Sequence, residues 1–371
     1  MSGDESTVKY LFSLSGVTIN GNQPFDIQVH DQRFYSRVLA KRELGLGESY
    51  MDGWWDAKRL DQLMSHVLAI DPRNNLKISP VMVRSFLKAK IQNRQTIIKA
   101  SQNASHHYDI GNDLYQRMLD KRMIYSCGYW LNAKNLDEAQ EDKLDLICRK
   151  LHLKIGMTLL DIGCGWGGFA EYASRKYGVK VTGITPAAEQ VKIAKQRTKG
   201  LPVTILQKDY RQMSGSFDRI VSIGMLEHVG PKNYKTFFNL CHKMLKEGGL
   251  MLHHTIGNIG TQPEIDPWID KYIFPGGVLP TIDQISRATK GILVIEDIHN
   301  FGPDYDKTLM AWYKNFTAHY PEIKGEYDNR FYRMWSYYLL SCAGAFRTRQ
   351  IQLWQIVMRK IEQSDVYLAE R

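Results

Sequence analysis

From residue 158 onward the chain repeats one pattern: a short, nearly continuous apolar run, a break in glycine or polar residues, then a longer segment with apolar positions three and four apart. The apolar runs fall at 158–162, 179–184, 203–207, 219–224, 249–255 and 293–297, with a last one at 351–358. Short runs without polar alternation mark strands buried on both faces, and longer periodic segments between them mark helices. Residues 136–151 read as a strong helix just ahead of the first run. Strands alternating with helices predict an α/β fold with a doubly wound, mainly parallel, seven-stranded sheet, which binds ligands outside the carboxyl ends of its strands.

The N-terminal part reads differently. Asn20-Gly21 between apolar segments predicts a hairpin, and residues 34–39 a helix followed by a glycine- and aromatic-rich loop over 44–55. That loop offers no defensible base–nucleophile pair, so packing is its expected role. The expected organisation is a small α+β domain over 1–72, a basic helical linker over 73–105 and a catalytic domain over 106–371. From Arg73 to Tyr108 there are seven Lys or Arg and no Asp or Glu, with an irregular apolar face from Val81 to Ile98. Such a helix can lie on an anionic lipid surface, and it reads equally well as a solvated link between domains. A nucleic-acid role ranks third, because no binding module or sheet of interleaved aromatics accompanies the charge.

Composition narrows the class. The 371 residues are 43% apolar and 24% charged, which suits a soluble protein of two domains, and the formal charge of +10 points to an anionic membrane, to nucleic acid or to nothing beyond solubility. The N-terminus is acidic, without the apolar core of a signal peptide, and no run reaches membrane-spanning length. Five scattered cysteines without a C-x-x-C pair fit a reducing cytoplasm and predict neither disulfides nor a zinc site. No metal is expected.

The chemistry gathers at residues 159–168, Leu-Leu-Asp-Ile-Gly-Cys-Gly-Trp-Gly-Gly. Strand, glycine turn and helix start together make a nucleotide-binding turn, because glycine lets backbone approach a ligand where a Cβ would collide. The second strand ends without the acid a nicotinamide ribose requires. Asp161 before the first glycine instead resembles the first motif of S-adenosylmethionine-dependent methyltransferases. Further polar groups close the next strands: Thr185, Asp209-Tyr210, Glu227-His228 and His254-Thr255-Ile256. A blander assignment makes Asp209 a turn cap and Glu227 a solvated loop acid. Polar groups at five successive strand ends favour a site. His253 and His254 point to opposite sheet faces, so at most one faces the pocket.

A resemblance sharpens this. Residues 125–130 (Tyr-Ser-Cys-Gly-Tyr-Trp), 159–168, 218–230 (Asp-Arg-Ile-Val-Ser-Ile-Gly-Met-Leu-Glu-His-Val-Gly), 254–257 (His-Thr-Ile-Gly), 272–277 (Tyr-Ile-Phe-Pro-Gly-Gly) and 309–313 (Leu-Met-Ala-Trp-Tyr) resemble the cyclopropane-fatty-acyl-phospholipid synthase family, in family order. Residues 47–55 resemble the extra N-terminal domain of its bacterial phospholipid members. The resemblance implies a class I S-adenosylmethionine methyltransferase fold. It also implies methylene transfer to a cis double bond of a phospholipid acyl chain, through a carbocation deprotonated by bound bicarbonate. By residue match, the bicarbonate cradle would be Cys127, Glu227, His254, Tyr313 and the backbone at Ile256. Glu227 would either orient donors or share a proton with the anion. Cofactor contacts would come from Tyr125, Ser126, Leu159, Leu160, Asp161, Ile162, Gly163, Cys164, Gly165, Trp166, Gly167, Thr185, Gln190, Asp209 and Tyr210. The family's aliphatic pair before His-Thr-Ile-Gly is here Leu252-His253, and the spacing to Ile256 selects His254. The resemblance further implies a homodimer, peripheral on the inner face of the membrane, with unsaturated phospholipid as partner and no nucleic acid. Two competitors remain: a methyltransferase of the same fold acting on a small amine or making methyl-branched chains, and a peripheral binding protein without catalysis.

Overall fold

The computed structural model describes residues 3–69, 111–260, 265–361 and 366–371. The expected linker 73–105 lies outside the described residues. The elements run α1 (Gly3–Ser13), β1 (Gln28–Val29), α2 (Arg33–Met51), β2 (Trp55–Asp56), α3 (Leu60–Ala69), α4 (Asn112–Met118), α5 (Leu136–Lys150), β3 (Thr158–Ile162), α6 (Gly168–Tyr177), β4 (Lys180–Thr185), α7 (Ala188–Arg197), β5 (Val203–Gln207), β6 (Phe217–Ile223), α8 (Tyr234–Met244), β7 (Leu245–Asn258), α9 (Pro267–Tyr272), α10 (Ile282–Thr289), β8 (Leu293–Asn300), α11 (Pro303–Ile323), α12 (Asn329–Arg347) and β9 (Ile351–Lys360).

The seven strands β3–β9 form one sheet in the order β5-β4-β3-β6-β7-β9-β8. The five strands β3 to β7 pair in parallel, and β8 pairs antiparallel with β9. The unbroken apolar runs reflect cover on both faces. Leu160, Ile220, Met251 and Ile356 face a layer containing Phe237, Phe238 and Ile285 of α8 and α10. Leu159, Val221, Leu252 and Val357 face Leu144, Ile147, Phe169 and Ala173 of α5 and α6. Helix α5 starts where the Asn135 side chain accepts the Glu138 N–H, with Asp137 and Glu138 in its first turn, the polarity its dipole favours.

The contacts divide the chain differently from the sequential domains expected above. One compact unit takes residues 3–69 together with 265–275 and 305–351, and the sheet unit takes the remainder of the described chain. Within the first unit, α2 continues through the segment expected as a loop. It is broken only at Arg42 (φ 49°), and Gly45 and Gly47 lie in its second part. These glycines serve close packing and not a turn: a Cβ on Gly47 would collide with the Trp268 indole of α9. Trp268 was too far away in sequence for this to be legible. The expected hairpin is also replaced. Asn20 does take a left-handed turn (φ 59°), but Ile19 and Ile27 meet only as an isolated parallel bridge, and β1 pairs with β2. The Asp26 carboxylate explains the preference, accepting the N–H groups of Thr18 and Gln23 and tying down a loop where a ladder would run.

Candidate active site

The carboxyl end of β3 turns sharply because Gly163 and Cys164 both donate to the Ile184 carbonyl at 3.0 Å. Gly163, Gly165 and Gly167 have φ of 86°, 52° and 79°, backbone that disfavours side chains. A Cβ on Gly165 would meet nothing within 4 Å, so the turn faces open space. Asp161 beside it is 1% exposed, and its Oδ2 has no hydrogen-bond partner among the described residues. Burial raises its carboxyl to about 7, partly offset by the Lys143 ammonium.

Next along the edge, the Thr185 hydroxyl donates to Gln190 Oε1 at 2.7 Å. This fixes the amide and leaves the buried Gln190 Nε2 unpartnered among the described residues. An open glycine cradle flanked by an unpaired carboxylate oxygen and an unpaired amide donor fits a ligand with amino and hydroxyl groups. The methionine and ribose portions of S-adenosylmethionine carry them.

Other residues expected at the cofactor are placed differently. Leu159, Leu160 and Ile162 bury their side chains in the two apolar layers, so only their backbone reaches the edge. Cys164 packs with Val191, Ala194 and Ile205. Trp166, the bulky residue within the turn, points into α4: its Nε1 donates to Asn112 Oδ1 at 3.0 Å and its ring lies 5.0 Å from Tyr115. Tyr125 meets Tyr115 edge-on at 5.2 Å. Asp209 caps a short turn through the Arg211 N–H and binds the Arg211 guanidinium at 2.7 and 2.8 Å. The structure thus gives Asp209 the turn-cap role. Tyr210 is buried edge-on against Phe237.

At the ends of β6 and β7, Glu227 is 7% exposed and its Oε1 accepts the Ile256 N–H at 2.7 Å. Its Oε2 has no partner among the described residues, and burial pushes its carboxyl up to about 7. The Ile256 amide, expected as an anion donor, is therefore already spent on Glu227. His254 sits two residues earlier on β7, 1% exposed, with Gln355 Nε2 at 3.4 Å from Nδ1 and no partner for Nε2 among the described residues. Burial, then the nearby Lys143 charge, holds its imidazole neutral. His253 faces the opposite layer against Phe237 and Phe238, which separates the two histidines as strand geometry requires. Cys127 is fully buried and donates to the Gly128 carbonyl at 3.2 Å. Tyr313 lies on α11 within the other compact unit, where burial raises its phenol well above the usual range.

One buried charge, in the field of Asp161 and His254, escaped the sequence reading. Lys143 of α5 is 0% exposed and donates to the Ser126 hydroxyl at 2.9 Å. Its signal was a charge at an apolar position of a helical period.

The family model for mycolic acid cyclopropane synthetase matches residues 95–356. The chain belongs to that family. Among curated relatives, it is 53% identical to the cyclopropane-fatty-acyl-phospholipid synthase of Escherichia coli (strain K12), over 94% of this chain and 92% of that one. It is 39% identical to a probable fatty acid methyltransferase of Pseudomonas putida, over 69% and 68%. Among solved structures, the mycolic acid cyclopropane synthase CmaA1, complexed with SAH and CTAB, shares 33% identity and superposes with a TM-score of 0.66. That match covers 70% of this chain and 98% of that one. Coclaurine N-methyltransferase, at 19% identity with a TM-score of 0.70, over 85% of this chain and 99% of that one, shares the fold. The seven-stranded sheet is that of the class I S-adenosylmethionine methyltransferases. Among the described residues no helix is long and apolar enough to cross a membrane.

Proposed function

We propose that this chain transfers a methylene group from S-adenosylmethionine to the cis double bond of an unsaturated phospholipid acyl chain, forming a cyclopropane. The observation that carries this reading, beside the family, is Glu227: a buried carboxyl with one unpartnered oxygen, at the same sheet edge as the glycine cradle. An alkene is a weak nucleophile, so the site must hold it in line with the donor methyl and keep water out. The alkene forms a carbon–carbon bond to the methyl as the sulfur–carbon bond breaks, leaving a carbocation on the acyl chain. Loss of a proton from the transferred methyl then closes the ring. Buried walls at Cys127, His254 and Glu227 protect that cation from hydration.

The proton needs an acceptor. Bound bicarbonate would supply a small, held base in place of a mobile side chain that could trap the cation. The residues fit such an anion on one condition. His254 offers an unpartnered nitrogen and Glu227 an unpartnered oxygen, so Glu227 must carry a proton, which burial favours. Glu227 then donates to the anion while its other oxygen stays on Ile256. Cys127 and Tyr313 complete the proposed cradle, and Tyr125, Ser126, Asp161, Gly163 to Gly167, Thr185, Gln190 and Asp209-Tyr210 the cofactor site. Asp209 can serve there only through an edge not taken by Arg211.

The deciding experiment is incubation of the protein with vesicles of unsaturated phospholipid and S-adenosylmethionine, with the acyl chains resolved by mass spectrometry and NMR. Cyclopropane products support the reading, whereas methyl-branched chains or no lipid product defeat it. The partner surface is proposed to be the anionic inner face of the membrane, engaged by a homodimer. Charge reversal at Arg84, Lys88 and Lys90 should weaken binding to anionic vesicles by about 1 kcal/mol per residue at most, in sedimentation at low salt.

A further inference from the structure

Helix α5 carries a lysine where its spacing calls for an apolar residue. Leu136, Ala139, Gln140, Lys143, Leu144 and Ile147 all turn inward on it. Burying an ammonium costs several kcal/mol unless it is paired. Yet the Lys143 Nζ has a single hydrogen-bond partner among the described residues, the Ser126 hydroxyl at 2.9 Å, and no ion pair. An ammonium has three donors. From the preceding turn of α5, Gln140 Nε2 donates to the Ser126 carbonyl at 2.7 Å. One helix face therefore grips one residue of the strap between α4 and α5 by its side chain and its main chain together.

The charge around Lys143 is equally specific. Asp120, Cys127 and Asp161 favour its charged form, and His254 lies in its field from β7. Asp120 spends its oxygens on the N–H groups of Arg122 and Ile124. Burial raises the Asp161 carboxyl to about 7, and the Lys143 ammonium opposes that rise. The strap thus presents Ser126 backed by a buried ammonium that makes no ion pair among the described residues.

We propose that Lys143 is a positioning residue for S-adenosylmethionine, orienting the Ser126 hydroxyl and setting a positive potential that receives the carboxylate of the methionine portion. The inference rests on the proposed placement of Ser126 in the cofactor site. It predicts that the lysine discriminates ligands by their carboxylate. S-adenosylhomocysteine has that group and 5′-methylthioadenosine lacks it.

Calorimetry of both ligands with wild type, Lys143→Met, Lys143→Arg and Ser126→Ala, from pH 6.5 to 9.5, tests this. Burial lowers the Lys143 ammonium to about 8. Wild-type affinity for S-adenosylhomocysteine should therefore fall as pH rises through that value and the charge is lost. The ligand's own amino group titrates alike in every variant, so the difference between variants is what counts. Lys143→Met should bind S-adenosylhomocysteine at least tenfold more weakly at pH 7, without the extra fall near pH 8, and bind methylthioadenosine within twofold of wild type. Lys143→Arg should recover part of the lost affinity and hold it to pH 9.5. Equal losses for both ligands would make the lysine merely structural and overturn the inference. A loss in Ser126→Ala without one in Lys143→Met overturns this inference alone. Unchanged S-adenosylhomocysteine binding in both variants overturns the cofactor role of the strap as well.

Discussion

Buried carboxylates are treated in opposite ways in the two compact units. In the unit built on α2 and α3, Glu48 is 7% exposed and receives Lys271 at 2.6 Å, Tyr272 at 3.0 Å and Lys41 at 3.2 Å. Asp61, 2% exposed, receives Arg59 and Arg347, each at 2.9 Å. These partners overcome burial and hold both acids below their usual range, Glu48 at about 2. At the carboxyl edge of the sheet, Asp161 and Glu227 each keep an oxygen with no described partner, and burial raises each to about 7. Evenly satisfied acids hold a structure together. Acids buried and left short of partners cost stability, and the natural account of that cost is a ligand or a proton-transfer role.

The largest test of this contrast removes the cradle beside the unpaired acids. Gly165→Val forces a branched side chain onto backbone at φ 52° and into the space the turn leaves open. It should weaken S-adenosylhomocysteine binding by more than about 100-fold (about 2.8 kcal/mol). Wild-type affinity by calorimetry in a folded variant would remove the cofactor assignment.

Glu227→Gln should slow ring formation by about 10²-fold while S-adenosylhomocysteine affinity stays within a factor of about two, because the amide can donate to the anion but cannot share a proton with it, and the glycine cradle is untouched. Removing dissolved carbon dioxide should slow the wild type in the same assay, and added bicarbonate should restore it. Full activity of the variant together with indifference to bicarbonate would point to a side chain as base.

The same substitution has a signature in stability. A carboxyl raised in the folded state contributes stability fully present below its unfolded value near 4 and lost as pH rises through about 7. Glu227→Gln should therefore gain on the wild type between pH 5 and pH 8, by about 2 kcal/mol in denaturant unfolding. A constant difference across that range would mean that Glu227 is not shifted by burial.

Glu48→Gln runs the other way and is the smallest effect. Its depressed carboxyl contributes stability present above about 4.5 and lost as pH falls through about 2. The variant should lose about 1–2 kcal/mol at pH 7, with half-exposed lysines softening the loss, and the difference should shrink in acid. Affinity for S-adenosylhomocysteine should not move. A change there would erase the distinction between the two kinds of acid.

The sheet was legible because its strands are local. Thr158–Ile162 and Val203–Gln207 begin and end where the apolar runs do. Glu227 and His254 were legible as polar residues at strand ends, and their burial now places them within the sheet edge. What failed needed partners distant in sequence. Gly47 is explained only by Trp268, and the helical continuation through residues 44–51 only by the packing that follows. The Asp209 turn cap, by contrast, has its partner Arg211 only two residues on and was one of the two roles its place in the sequence offered. Lys143 was hidden by a helix assignment that was correct: the apolar spacing of 136–151 invites one to overlook the charge within it.

The discontinuous first unit has a consequence in time. On α3, Leu60, Leu63 and Met64 are buried, and Met64 lies against Gly344 of α12. Asp61 waits for Arg347, and Met51 for the Trp268 indole. A chain emerging from the ribosome makes the first partners almost at once and the second ones only after the whole sheet segment has followed. Until then it carries an uncovered apolar face and acids short of their distant partners through synthesis of nearly two hundred further residues between Ala69 and Pro267. Contacts of such long sequence separation form slowly and leave intermediates prone to aggregation. The first unit is therefore a late event in folding despite standing first in the chain. Nascent chains arrested before residue 260 should be far more dependent on chaperones than the finished protein.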